Sequence, residues 1–128
     1  MKGFPECVAL LGDVVRSRDS DRARVHEALL NAIAACNKAH PPLDPLRVTV
    51  GDEIQGVYAT LGQAVAAMLM LRDELLGTAE VRCGLGGGDV QVIDAKRGIQ
   101  DGSAWWKARE AIERAEALSR QPGNRTSR

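Results

Sequence analysis

The chain has no net charge, no long apolar run and few aromatic residues, and each lack narrows what it can be. Its 17 lysines and arginines balance 17 aspartates and glutamates. No global field therefore draws it to DNA, RNA or an anionic membrane, and direct nucleic-acid binding by this domain would need a local basic patch. No stretch reaches the ~20 apolar residues that a membrane-spanning helix requires. The opening MKGFPECVALLG lacks a signal-peptide layout, because Pro5 and Glu6 interrupt the place of the apolar segment. Cys7, Cys36 and Cys83 are far apart, odd in number and form no Cys-x-x-Cys pair. That spacing suggests neither a disulfide framework nor a zinc site and fits a reducing, cytoplasmic setting.

What is present is enough for a core. With 45% hydrophobic residues over 128 positions the chain folds as one domain, expected over residues 1–120, with 121–128 (QPGNRTSR) as a polar flexible tail. Residues 7 to 15, CVALLGDVV, form an apolar run that predicts a buried central strand ending at Asp13. From Asp19 to His40 the pattern is helical, with Val25, Leu29, Ile33 and Cys36 on one stripe, and Pro41 and Pro42 stop it. LRVTVGDEIQGVYA, 46 to 59, reads as two strands around a Gly51-Asp52 turn. A second helix is expected over 61–77, closed by Gly77. VRCGLGGG and DVQVI read as two extended segments joined or interrupted by Gly86, Gly87 and Gly88, which point to a hairpin or bulge. A third helix is expected from about Ser103 to Arg120. The order βαββαβ with a last hairpin strand predicts an α+β, ferredoxin-like antiparallel sheet of the palm type, with helices on one face and a closing C-terminal helix.

That topology sets the first strand beside the following hairpin, so Asp13 at a strand end and the Asp52-Glu53 pair at a hairpin tip converge. Carboxylates brought together repel, and a shared hard cation, Mg²⁺ or Mn²⁺, offsets this while keeping coordination positions for phosphates. Asp13, Asp52 and Glu53 are thus candidate metal ligands. Gly-Asp is also ordinary turn chemistry, and only the combination with Asp13 lifts it above that. Arg16 and Arg18, just past the strand, have the forked donors that suit phosphate oxygens. Gly84 to Gly88 lacks the Gly-Lys-Ser/Thr ending of a phosphate-binding loop. His26 and His40 have no partner at metal spacing. With aromatics at 3%, the adjacent Trp105 and Trp106 stand out. They point about 100° apart on a helix, so one packs inward and the other is left for a dimer interface or a base.

LLGDVVRSR, TVGDEIQGVY, VRCGLGGGDV and DGSAWWKAREAI resemble, in sequence and order, the motifs of the SatD family over about residues 7 to 118. More distantly they resemble the class III nucleotidyl cyclase catalytic domain. That resemblance implies a divalent-metal-dependent domain binding a nucleoside triphosphate or related phosphate, with nucleotidyl transfer or cyclisation as its reaction and a homodimer as its working form. It implies Asp13 and Asp52 as metal carboxylates, the backbone from Val14 through Val15 and Arg16 to Ser17 against the phosphates, and Arg109 as the catalytic arginine of the last helix. Trp105 stands where cyclases carry an asparagine, Val48 where a base-reading lysine is expected with Arg47 one step off, and Asp101 lies out of register with the base-reading acid. These departures keep a second class in view, a non-catalytic nucleotide- or metal-sensing module of a SatD-like, DNA-binding protein. A third is a dimerisation module in which the acidic tip is only a turn.

Overall fold

The computed structural model describes residues 3–17, 21–49 and 51–119. Five strands and three helices follow in the order β1 (Gly3–Ser17), α1 (Arg22–Ala39), β2 (Asp44–Val48), β3 (Ile54–Tyr58), α2 (Leu61–Glu74), β4 (Ala79–Asp94), β5 (Ile99–Asp101) and α3 (Ser103–Ser119). All strand pairs are antiparallel and the sheet order is β2-β3-β1-β4-β5. The expected α+β sheet is therefore present, with the apolar run of β1 at its centre.

Period-two alternation along β1 divides the core into two layers. Val8 and Leu10 point to the side of α1 and α2, where Leu29, Ile33, Cys36, Ile54, Tyr58 and Leu71 are buried with them. Cys7, Ala9 and Leu11 point the other way, to Val57, Val90 and the Ala104, Ala108 and Ile112 stripe of α3. The closing helix thus covers the face opposite the other two. α1 starts where Asp21 Oδ1 accepts hydrogen bonds from the amides of Ala23 and Arg24, at 3.0 and 3.3 Å. α2 starts at Thr60, whose Oγ1 accepts from Gln63 N at 3.2 Å.

Three expectations are corrected. β1 does not end at Asp13 but runs on to Ser17, because Val14, Arg16 and Ser17 pair with Val81, Glu80 and Ala79. α2 ends at Glu74, and Gly77, at φ +88°, turns the chain three residues later. The glycines of β4 make neither a hairpin nor a break, since residues 79–94 form one strand whose hairpin partner is β5, but the pairing with β1 does shift register between Gly88 and Val90, as a bulge would. Gly84, Gly86 and Gly88 share its α3 face. A Cβ at Gly84 would lie 2.7 Å from Ile112 N, and one at Gly86 would overlap Ala104 O and Ala108 N. The missing side chains let the α3 backbone lie directly on the sheet. Gly87, on the opposite face, would meet only Cys7 O at 4.0 Å.

The start of α3 is fastened to β4 by side chains. Ser103 Oγ and Ser103 N donate to Asp89 Oδ1 at 2.6 and 3.1 Å, and Asp89 N donates back to Ser103 Oγ at 3.1 Å. These bonds favour the ionised carboxyl and hold Asp89 below its ordinary value of 3.8. A depressed folded-state value stabilises above the unfolded value, and that stabilisation is lost as pH falls through the folded one. Asp89→Ala is therefore expected to melt below wild type at pH 7, with the gap closing as pH drops below about 3.8. Melting temperatures across pH 3 to 7 check this, and a constant gap would remove the carboxylate from the account.

Candidate functional site

Asp13 lies on the α3 face of β1, following Leu11 in the alternation, and its register partner across β4 is Arg82. It is half-buried, and its Oδ1 is buried with no hydrogen-bond partner among the described residues. Burial holds its carboxyl above the ordinary carboxylate value of 3.8; Arg82 pulls it down, Glu116 and Glu53 push it up, and Arg109 pulls it down again. A buried carboxylate oxygen without a donor is destabilising unless a ligand satisfies it. A hard cation is one ligand that does, so the donor chemistry fits Mg²⁺ or Mn²⁺.

The hairpin delivers the other acids. Thr49 N donates to Glu53 O at 2.8 Å, closing a loop in which Gly51 adopts φ +64°. The β1–β3 ladder ends at Gly12↔Ile54, so Glu53 stands one step beyond it, beside Asp13. Glu53 Oε1 accepts from Gln55 Nε2 at 3.0 Å, and the Arg109 guanidinium reaches both carboxylate oxygens at 3.4 Å. Asp13, Glu53 and Arg109 are therefore neighbours within one chain. Asp52 instead meets Arg22 at 3.7 Å, an exposed pair, and is not among the charges that act on Asp13. Among the described residues no group of three or more His, Cys, Asp or Glu side chains is placed to hold a metal ion.

The proposed phosphate strip is part of β1. Val14 packs against the α1 and α2 core and Val15 is exposed. Only the backbone of Arg16 and Ser17 is described, and Arg18 lies outside the described residues. The β3 ladder stops at Gly12, which leaves the β3-facing edge of residues 13–17 outside it.

Beside Glu53 opens a groove of about 1170 Å³, lined among others by Phe4, Arg47, Val48, Gln55, Val92 and Gln100. The sheet curls until its outer strands bond to each other: Gln100 Nε2 donates to Asp44 Oδ2 at 2.9 Å and Arg47 Nη2 to Gly98 O at 3.3 Å. Trp105, partly buried, donates from Nε1 to Gln100 Oε1 at 3.1 Å and so ties α3 to this closure. Trp106 is 66% exposed and donates to Asp101 Oδ1 at 2.9 Å. One tryptophan inward and one outward is as the helical spacing required.

Sequence reading did not single out Arg82, Glu116 and Ser119. Arg82 Nη1 donates to Glu116 Oε2 and Nη2 to Ser119 Oγ, both at 3.3 Å. A signal was available: Arg82, Gly84, Gly86 and Gly88 alternate, so the arginine had to share the helix-facing side once the glycines were assigned to one strand.

Solved structures similar to this chain include nucleotide cyclase domains. The catalytic core of a rhodopsin-guanylyl cyclase with converted specificity, in complex with ATPαS, superposes with a TM-score of 0.64 at 18% identity, covering 86% of this chain and 73% of that one. A bacterial light-regulated adenylyl cyclase gives 0.62 at 14% identity, covering 95% and 73%. The adenylate/guanylate cyclase/hydrolase from Silicibacter pomeroyi gives 0.61 at 16% identity, covering 88% and 71%. At these identities the likeness is one of fold. No curated protein matches the chain. The SatD family model matches residues 7–117, nearly the whole chain and both strands that bear Asp13 and Arg82, and the protein belongs to the SatD family.

Proposed function

We propose that this chain is a divalent-metal-dependent nucleotide-binding domain of the cyclase type. The observation that carries the reading is the buried, unpartnered Asp13 Oδ1 beside Glu53 and Arg109, on a sheet with the cyclase fold. Asp13 would hold Mg²⁺ or Mn²⁺, with Asp52 and Glu53 joining it once Arg22 and Arg109 are drawn to incoming phosphates. A bound divalent cation would neutralise phosphate charge and polarise the phosphoryl oxygens. The backbone edge from Val14 to Ser17 that lies beyond the β3 ladder and the side chains of Arg16 and Arg18 would contact the phosphates, and Arg109 would stabilise charge developing on them during nucleotidyl transfer. The groove lined by Arg47, Gln55 and Gln100 has room for the rest of the nucleotide.

The working form in this reading is a homodimer, supported by the exposed Ile93, Ile99 and Trp106 on and beside the β4–β5 hairpin. The setting is cytoplasmic, supported by three free cysteines. Among the described residues no helix is long and apolar enough to cross a membrane. A second reading, ligand sensing without turnover, draws on Arg109: its guanidinium is engaged by Glu53 of the same chain.

The test is thermal melting against ATP, GTP, CTP and UTP with Mg²⁺, Mn²⁺ or EDTA, in wild type and Asp52→Asn. A nucleotide at a hundred times its Kd should stabilise by about 2.7 kcal/mol, raising the midpoint by roughly 10 °C. The rise should need the metal and shrink in the variant. Melting unchanged by every nucleotide and metal would sink both readings.

A further inference from the structure

Asp13 and Arg82 are direct register partners on adjacent strands and share the α3 face. Opposite charges in that relation ordinarily pair, and the Arg82 side chain is only 16% exposed, so little water competes for it. Yet Asp13 Oδ1 has no donor among the described residues, and the guanidinium goes to α3 instead, onto Glu116 Oε2 and Ser119 Oγ. Ser119 Oγ is itself oriented, donating to Glu116 O at 2.8 Å. Glu53 and Glu116 both act on Asp13, and each takes an arginine: Glu53 takes Arg109 and Glu116 takes Arg82.

We propose that Glu116 and Ser119, in the last turn of α3, form a latch that holds the Arg82 guanidinium off Asp13 and so keeps the Asp13 carboxylate open to a divalent cation. The proposal rests on Asp13 being a cation ligand. A guanidinium hydrogen-bonded to Asp13 would occupy its lone pairs and cancel its charge. Held on α3, the same guanidinium only tempers that charge through space, which falls off slowly with distance, whereas the hydrogen bond is lost within an ångström. Arg82, Glu116 and Ser119 are positioning residues, acting on the cation only through Asp13.

The test is a double-mutant cycle on Mn²⁺ affinity, read by electron paramagnetic resonance of free Mn²⁺ in nucleotide-free protein, with far-UV circular dichroism confirming the fold of each variant. Glu116→Gln should weaken Mn²⁺ binding about ten- to hundredfold, as losing a partner that orients a ligand does. Arg82→Met should change affinity little on its own and restore it in the Glu116→Gln background. A plain charge effect would instead be additive, Arg82→Met tightening Mn²⁺ equally in both backgrounds. Additivity, or wild-type affinity in Glu116→Gln, overturns the latch. Equal Mn²⁺ affinity in wild type and Asp13→Asn, or none in either, removes Asp13 as a ligand and overturns the reading beneath it. Ser119→Ala is the milder second variant and should move affinity in the same direction as Glu116→Gln.

Discussion

Gly86→Ala should lower stability by about 3 kcal/mol or more, at the upper end of the usual overpacking range. One added methyl is expected to do this because its neighbours are the backbone atoms Ala104 O and Ala108 N, with Lys107 Cβ 2.8 Å away. A side chain can rotate out of such an overlap, whereas a helix backbone in mid-run cannot, so α3 would have to lift off β4. That displacement would loosen the packing of Ala104, Ala108 and Ile112 against Ala9, Leu11 and Val57. Urea unfolding measures the effect, and Gly87→Ala is the control: its Cβ would point to the opposite face with nothing nearer than Cys7 O, so a change within about 0.5 kcal/mol is expected. Equal effects at the two positions would mean that α3 does not lie against the sheet as described.

Asp13→Asn should move stability in opposite directions according to what is in the buffer. In EDTA the variant is expected to equal wild type or exceed it by about 1 kcal/mol, because an ionised, partly buried oxygen without a donor is replaced by a neutral amide. With nucleotide and Mg²⁺ or Mn²⁺ present, wild type should gain about 2.7 kcal/mol at a hundredfold excess over Kd and the variant little or nothing. The order of the two melting curves would then reverse between buffers. A drop in EDTA would assign Asp13 to structural hydrogen bonding, and the site built on it would have to be abandoned. The same pair of curves separates Asp13 from Asp52, which is paired with Arg22 at the exposed hairpin tip and should have no such effect in EDTA.

Much of the architecture was legible because it depends on local patterning. The stripe Val25, Leu29, Ile33, Cys36 is buried as its spacing required, and the Gly51-Asp52 turn lies between β2 and β3. The run around Leu10 and Leu11 is the central strand. The errors arose where a residue has two local meanings. Glycines in a row signal a turn or break when read along the chain, but in β4 they mark where a helix backbone approaches the sheet, a fact belonging to α3, at least 15 residues further on. Asp13 looked like a strand terminus because charge follows an apolar run. The strand continues because β4 is long enough to pair with it as far as Ser17.

Residue type and spacing by themselves determined an α+β fold with an antiparallel sheet, a hairpin strand lying beside the first strand, and one tryptophan facing inward. The tertiary structure decided how the charges are shared. It put Glu53 rather than Asp52 beside Asp13, gave Arg109 to Glu53 and Arg82 to Glu116, and left Asp13 Oδ1 without a donor among the described residues. The physical reason is that strand and helix periods can be counted along a sequence. Which of several opposite charges pair depends on distances of a few ångströms between elements, and those are set only when the curled sheet and α3 pack together.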